Sequence, residues 1–165
     1  MTIIVSADAH WGIGKNGGLL AHIPADMQFF KATTMGGALL MGRKTLDSLP
    51  GGRPLPGRLN LVLTSDRGFS REGVTVCHSV DSLLTAARAT GRPLFVIGGG
   101  SVYAQLLPYC RRALVTRLEA DLEADTFFPD LDREADWQLV RTGKPAQYRG
   151  LTYFLTEYQR NSRNG

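Results

Sequence analysis

The apolar residues of this chain fall into short runs that alternate with amphipathic stretches. Continuous apolar runs bounded by glycine, proline or polar residues predict buried strands at residues 3–7, 38–41, 59–64, 74–77, 94–97 and 113–118. Stretches with helical spacing predict helices at residues 24–34, 43–48, 82–89 and 101–107. Such alternation is typical of a parallel sheet with right-handed crossovers.

The last part of the chain has a different pattern. Residues 138–141 and 151–158 have the spacing of an antiparallel hairpin pair at a sheet edge. We therefore predict an α/β fold in a single domain over residues 1–165, with a mostly parallel central sheet, an antiparallel C-terminal edge hairpin and about four flanking helices. The glycine-rich residues 12–18 are interpreted as a mobile loop, too loose for a turn, and residues 50–58 as a rigid basic connector.

Composition narrows the class of protein. Hydrophobic residues make up 43% and charged residues 21% of the chain, as in ordinary soluble globular proteins. The net charge of +4 suits an anionic ligand, but the basic residues form no continuous stripe, so we expect no nucleic-acid partner.

Cys77 and Cys110 lack metal-site spacing, which predicts two buried thiols and no metal. We recognise no signal peptide or membrane span and expect a reducing cytoplasm.

Two predicted strand-to-helix corners are candidates for anion binding. At the first, Gly42 leads into Arg43, Lys44 and Thr45, where free N–H groups at a helix start and two cations favour phosphate. At the second, the run from Gly98 to Gly100 allows a ligand to approach the backbone because no Cβ intervenes. A solvated helix start and a tight packing turn are the respective alternatives.

Together the two corners favour a dinucleotide, which has two phosphate regions to anchor. The triple glycine does not match the G-x-G-x-x-G pattern of a standard Rossmann site. The strand end from Leu63 to Arg67 adds hydroxyls and a cation, which make a third candidate position for an anion. This position suits the extra phosphate of NADP better than the free hydroxyl of NAD.

One acid stands among apolar and aromatic residues on a predicted helix. Pro24 suits a first helical turn, so that Asp26 and Phe30 project from the same side with Met27 beside them. An exposed carboxylate favoured by the helix dipole is one interpretation of Asp26. A partly buried acid that needs hydrogen-bonding partners is the other.

Several of these segments occur in the same order in a known family. They are residues 12–14, 23–31, 41–45, 53–58, 60–64 and 96–103, together with Thr116 and residues 125–129. From residue 3 to residue 158 the chain thus resembles bacterial dihydrofolate reductases. The resemblance implies the dihydrofolate reductase fold and NADPH-dependent reduction of 7,8-dihydrofolate to 5,6,7,8-tetrahydrofolate, by hydride transfer to C6 and protonation at N5, which supplies one-carbon metabolism. It also implies binding of antifolate inhibitors. For the oligomeric state, a monomer is the default expectation.

The resemblance implies roles for individual residues. Asp26 is the expected catalytic residue, holding ring nitrogen N3 and the exocyclic amino group of the pteridine, with Thr116 hydrogen-bonded behind it. Arg58 is the expected clamp on the glutamate α-carboxylate. The implied substrate-binding residues are Ile4, Ser6, Asp26, Met27, Phe30, Lys31, Leu49, Arg53, Leu55, Arg58, Ile97, Tyr103 and Thr116. The implied cofactor-binding residues are Ser6, Ile13, Gly14, Leu19, Gly42, Arg43, Lys44, Thr45, Leu63, Thr64, Ser65, His78, Ile97, Gly98, Gly99, Gly100, Ser101, Val102, Tyr103, Gln105 and Thr126. The family also carries a cis peptide bond between the first two of the three glycines.

The chain departs from the family pattern in places. Leu20 and Ala21 stand where most bacterial members carry a Pro-Trp pair, and Ser101 stands where an arginine is common. A pyrimidine reductase of riboflavin synthesis is an alternative with the same fold and cofactor, but it gives no reason for an Asp26–Phe30 face combined with Arg58. A non-catalytic NADP-binding module is a second alternative, which would bind NADPH without turning over any pterin.

Overall fold

The structure, a computed structural model, describes residues 1–162. The helices are α1 (Pro24–Thr34), α2 (Arg43–Ser48), α3 (Val80–Ala89) and α4 (Gly100–Leu106), and single 3-10 turns lie at Pro50–Gly52 and Leu107–Tyr109. The strands are β1 (Thr2–Ala7), β2 (Gly12–Gly14), β3 (Ala38–Gly42), β4 (Leu59–Leu63), β5 (Val74–Cys77), β6 (Leu94–Gly98), β7 (Arg112–Leu118), β8 (Thr126–Phe127), β9 (Trp137–Thr142), β10 (Ala146–Tyr148) and β11 (Leu151–Arg160). Every predicted strand and helix is present, with ends that differ by at most two residues. In the described part of the chain, no helix has the length and apolar character needed to cross a membrane.

One large sheet organises the molecule. Its strand order is β10-β11-β7-β1-β6-β3-β4-β5, with β9 paired to β11 as well. Every pair from β7 to β5 is parallel, whereas β11 runs antiparallel to β7, β9 and β10. The predicted α/β class and mostly parallel sheet are therefore confirmed.

The C-terminal strands are more elaborate than the simple hairpin predicted from residues 138–141 and 151–158. β10 intervenes, and it joins β11 through Arg149 and Gly150, both of which have positive φ. Left-handed conformations at two central residues match the right-handed twist of a tight hairpin. β9 pairs instead with the second half of β11. A strand as short as β10 carries too few residues for its alternation to be recognised in sequence.

The sheet separates two hydrophobic clusters, because successive side chains along a strand point to opposite faces. One cluster contains Ile3, Leu40 and Val96 and packs under α3 and α4. The other contains Ile4, Leu39, Met41, Leu46 and Phe95, and Phe29, Phe30 and Leu49 from the α1 and α2 side pack against it. The residues expected to contact substrate lie mainly on this second face.

The glycine-rich residues 12–18 do not form the loose loop that we predicted. β2 pairs antiparallel with β8, and Lys15 and Gly18 exchange two backbone hydrogen bonds around Asn16 and Gly17. Asn16 and Gly17 both have positive φ, as a two-residue hairpin turn requires. The segment is therefore a short hairpin attached to β8, a strand of two residues that the sequence analysis did not predict.

Both cysteines are free and buried, as predicted. Burial raises the pKa of the Cys110 thiol to about 11, and it also raises the pKa of Cys77. Both thiols are therefore protonated at neutral pH and serve as packing residues.

Candidate active site

Six neighbouring parallel strands end at one edge of the sheet. In spatial order they are β7, β1, β6, β3, β4 and β5, and the five steps between them make the edge about 24 Å long at about 4.8 Å each. Ligands of parallel sheets bind outside the carboxyl ends of the strands. The expected site residues follow this edge, from Thr116 on β7 and Ser6 on β1 to His78 just after β5.

Asp26 lies at the β7 end of this edge. Thr116 Oγ1 donates a hydrogen bond to Asp26 Oδ1 at 2.6 Å, and Ser6 Oγ donates one to Oδ2 at 2.7 Å. The carboxylate is partly buried. The structure thus favours the partly buried, hydrogen-bonded acid over the exposed one. The resemblance implied the Thr116 contact, whereas the Ser6 contact was not predicted.

Apolar side chains surround this end of the edge. Ile4 is buried, and Phe30, Leu49, Leu55 and Ile97 are partly buried in the same cluster on the α1 and α2 face. Five residues expected to wall the substrate are therefore brought together from five segments of the chain. Met27, which was also expected at the substrate, is 53% exposed and adds little to the core. Leu19, which was expected at the cofactor, is 59% exposed.

Arg58 is oriented by neutral groups. Its Nε donates to the Pro56 carbonyl at 3.0 Å, and its Nη1 donates to Thr34 Oγ1 at 3.2 Å. Partial burial lowers the pKa of Arg58 below its ordinary value, but a guanidinium stays protonated at neutral pH. Its charge is therefore held at a defined place near the end of α1. Lys31 and Arg53, also expected near the substrate tail, are exposed.

Asn60 braces the connector that carries Arg58, a role that the sequence analysis missed. The side chain is 3% exposed. Its Oδ1 accepts from the Leu55 N–H at 3.0 Å, and its Nδ2 donates to the carbonyls of Leu55 and Arg58 at 3.0 and 3.1 Å. A buried amide satisfies backbone groups that the proline-rich connector cannot pair by itself. An asparagine at the start of an otherwise apolar strand was the available signal.

The triple glycine forms a bare backbone corner between β6 and α4. The Gly98–Gly99 peptide bond is cis, as the resemblance implied. Gly98 has a φ of 121°, and a Cβ there would lie 3.1 Å from the Tyr103 ring. A Cβ on Gly100 would lie 2.8 Å from Thr126 Cγ2. A side chain is therefore excluded at Gly98 by the positive φ and the nearby ring, and at Gly100 by the nearby methyl group.

Tyr103 supports this corner from below. Its ring is buried against the glycines, and its hydroxyl donates to the Ile4 carbonyl at 2.8 Å. Burial raises the Tyr103 pKa well above its ordinary value. The hydroxyl is therefore a neutral donor that ties α4 to β1. Val102 beside it is also buried.

At the neighbouring corner, from Gly42 into α2, the two cations have different surroundings. Arg43 Nη1 lies 2.7 Å from Asp66 Oδ2, and the guanidinium stacks over Phe69 at 4.4 Å from the ring centroid. Its charge is thus already compensated by a carboxylate. Lys44 is exposed, and Thr45 Oγ1 lies 3.5 Å from the Cβ position of Gly99, so the two corners adjoin.

The residues expected around the extra phosphate of NADP lie at the far end of this edge. His78 Nδ1 lies 2.8 Å from the Thr64 carbonyl, and the Thr64 N–H donates to the Cys77 carbonyl at 3.0 Å. Ser65 follows and is exposed, while Leu63 ends β4. On α4, Gln105 Nε2 donates to Ser101 Oγ at 2.9 Å, so these two expected cofactor contacts bind each other.

The hairpin of residues 12–18 is fastened to the segment around β8. The Asn16 N–H donates to Asp125 Oδ2 at 2.9 Å, and this hydrogen bond lowers the pKa of Asp125. The buried Asp8 carboxylate accepts from the N–H groups of Gly12 and Leu122 at 2.8 and 3.1 Å. Ile13 and Gly14, expected near the cofactor, belong to this hairpin, and Thr126 lies opposite Gly14.

Two of the cavities in the described part of the chain adjoin the sheet. The smaller, of about 190 Å³, is lined by Asp26 and Thr116 together with Ala25, Phe29, Lys144, Tyr153, Phe154 and Leu155. The larger, of about 320 Å³, lies around Arg117, Asp132 and Tyr158. None of the expected site residues lines the larger cavity, whereas Asp26 and Thr116 line the smaller one.

Comparisons with known proteins agree with this arrangement. The family model described as dihydrofolate reductase matches residues 1–160. A dihydrofolate reductase of Bacillus subtilis is 39% identical over 140 residues, covering 85% of this chain and 81% of the relative. A dihydrofolate reductase of Neisseria meningitidis is 33% identical over 160 residues, covering 97% of this chain and 98% of the relative.

A solved structure extends the agreement to three dimensions. Dihydrofolate reductase from Enterococcus faecalis, complexed with NADP(H) and RAB-propyl, superposes with a TM-score of 0.86 at 36% sequence identity. The match covers 98% of this chain and 96% of that one. With a family model spanning nearly the whole chain, relatives above 30% identity and the same fold, this chain belongs to the dihydrofolate reductase family.

Proposed function

We infer that this protein reduces 7,8-dihydrofolate to 5,6,7,8-tetrahydrofolate with NADPH. The observation that carries the inference is the solitary Asp26 carboxylate, which is held by two hydroxyls at one end of an apolar region. The bare glycine corner and the exposed cation Lys44 lie further along the same sheet edge. A flat heterocycle bound at Asp26 and a phosphate-bearing cofactor bound at the glycine corner account for these two features.

At the substrate end, Asp26 is proposed to bind the pteridine. With Ser6 and Thr116 each occupying one lone pair, both carboxylate oxygens keep acceptor capacity for a pair of ligand N–H groups. Ile4, Phe30 and Ile97 would enclose the ring in apolar surroundings. Arg58 is proposed to take the glutamate α-carboxylate in a bidentate, charge-assisted pair.

At the cofactor end, the residues present fit NADPH. A Cβ at Gly98 or Gly100 would crowd Tyr103 or Thr126, so glycine is needed for this course of the backbone, whose bare peptide groups are proposed to take a phosphate. Lys44, Thr45, Ser65 and His78 supply a cation and polar groups along the remaining edge. Arg43 contributes less than the resemblance suggested, because Asp66 already neutralises it.

NADPH supplies the hydride when bound, and the chain's own residues orient the substrate and exclude water. Asp26 binds the edge of the pterin that carries N3 and the exocyclic amino group, and it is not expected to contact N5. It would bias the protonation of the ring while water delivers the proton. The hairpin of residues 12–18, fastened through Asp125, is proposed to cover this region and limit the entry of bulk water.

A direct assay tests the proposal. Purified protein is mixed with NADPH and dihydrofolate, and the near-ultraviolet absorbance of NADPH is followed. We expect consumption that requires both ligands. Binding of NADPH without consumption would instead favour the non-catalytic module. The family match gives no support to the pyrimidine reductase alternative.

Two further parts of the proposal concern the state of the protein. We propose a monomer that acts in a reducing cytoplasm, where the free Cys77 and Cys110 persist as thiols. Light scattering during size-exclusion chromatography tests the first part. A measured mass of twice the chain mass would overturn it.

A further inference from the structure

The hydroxyl of Ser6 is the least expected contact in the site. Ser6 and Thr116 are direct partners in the parallel pairing of β1 with β7. Paired residues on neighbouring strands have side chains on the same face, with the strands about 4.8 Å apart. The two hydroxyls therefore stand side by side, on the face to which α1 brings Asp26.

This spacing suits one carboxylate between two donors. Ser6 Oγ reaches Asp26 Oδ2 at 2.7 Å, and Thr116 Oγ1 reaches Oδ1 at 2.6 Å. A single donor would fix one oxygen and leave the carboxylate plane free to rotate about its terminal torsion, which is intrinsically broad. Two donors on separate oxygens fix the plane as well.

We propose that Ser6 is a positioning residue that orients the Asp26 carboxylate for the pterin, which deepens and rests on the proposed function. The clamp formed by Ser6 and Thr116 leaves one acceptor direction on each oxygen in a defined plane. A ligand with two neighbouring N–H donors then binds both oxygens at once, and less conformational freedom is lost on binding. Ser6 acts through Asp26 rather than on the reacting atoms.

A cavity beside the carboxylate shows what the Ser6 hydroxyl adds. Asp26 and Thr116 both line a cavity of about 190 Å³, together with Ala25 and Phe29 of α1. Packing alone therefore leaves space beside the carboxylate. A hydrogen bond from β1 holds the carboxylate from another direction, independently of how tightly this cavity is filled.

The first test is Ser6→Ala, compared with Ser6→Thr and with the control Thr2→Ala. Thr2 lies on the same strand and face but near its other end. Because hydrogen bonds to a charged group are among the stronger ones, we expect Ser6→Ala to lower kcat/KM for dihydrofolate by about tenfold. NADPH affinity should change much less than this, Ser6→Thr should restore the rate, and Thr2→Ala should have no effect.

A double-mutant cycle separates positioning from a general structural effect. Dissociation constants for dihydrofolate are measured for wild type, Ser6→Ala, Asp26→Ala and the double variant. If Ser6 acts through the carboxylate, Ser6→Ala weakens binding in the wild type and has no further effect once Asp26 is gone. Equal losses in both backgrounds would overturn the proposal, as would a loss confined to NADPH binding. Failure of the wild type to oxidise NADPH with dihydrofolate would instead overturn the proposed function itself.

Discussion

Asn60 offers a sharp test of how the substrate end of the site is built. Asn60→Ala removes three hydrogen bonds to the backbone of Leu55 and Arg58 and leaves those groups unpaired in a buried place. At about 1 kcal/mol for each bond, the free energy of unfolding should fall by about 3 kcal/mol. For a chain of this size, that loss corresponds to a Tm lower by about 6–12 °C.

The same substitution should affect the substrate more than the cofactor. Leu55 and Arg58 lie in the segment that Asn60 braces, whereas the residues proposed for the cofactor phosphates lie beyond the opposite end of β4. We therefore expect KM for dihydrofolate to rise by about tenfold with little change for NADPH. Urea denaturation measures the stability, and steady-state kinetics at varied concentrations of each ligand measure the two KM values.

Asn161→Ala is the matched control, because this exposed asparagine donates one side-chain hydrogen bond, to the Ala135 carbonyl at 3.2 Å. Its effect should stay within about 0.5 kcal/mol. If Asn60→Ala lost less than about 1 kcal/mol, the three bonds would not carry the stability assigned to them. If both KM values rose equally, Asn60 would support the whole fold rather than the substrate end.

Three further predictions concern the site itself. Asp26→Asn should severely reduce turnover of dihydrofolate at neutral pH and recover partly as pH falls, since solvent then protonates the substrate; an unchanged rate at pH 7 would remove Asp26 from the mechanism. Arg58→Leu should raise KM for dihydrofolate by about tenfold or more and leave that for NADPH nearly unchanged, and equal effects on both would contradict the proposed clamp. Asp125→Ala should speed tryptic cleavage after Lys15, because the bond to the Asn16 N–H is lost. The Asn16 bond lowers the pKa of Asp125, so the stabilisation that it gives the hairpin is fully present above the ordinary value of 3.8 and is lost as pH falls through the lowered pKa. Cleavage of the wild-type hairpin by a protease active in acid should therefore become faster as pH falls below 3.8, and Asp125→Ala should lack this acceleration.

Much of the fold could be predicted from local patterns alone. Apolar runs and helical spacing identified the six parallel strands and the four helices, because burial on both faces of a parallel sheet leaves a continuous apolar run. The shortest strands could not be predicted from such patterns. β8 and β10 are held by pairing with distant segments, and their own residues carry too little periodicity to reveal them.

The sequence also determined which residues carry the chemistry, since ordered motifs around Asp26, Arg58 and the triple glycine pointed to one family. It did not determine what those residues contact. The pairing register of β1 with β7 sets Ser6 beside Thr116, and the approach of α1 brings Asp26 between them. Likewise, the distant Asp66 neutralises Arg43, which the sequence alone presents as a free cation. Hydrogen bonds and ion pairs depend on distances between segments far apart in the chain, and only the tertiary structure decides those distances.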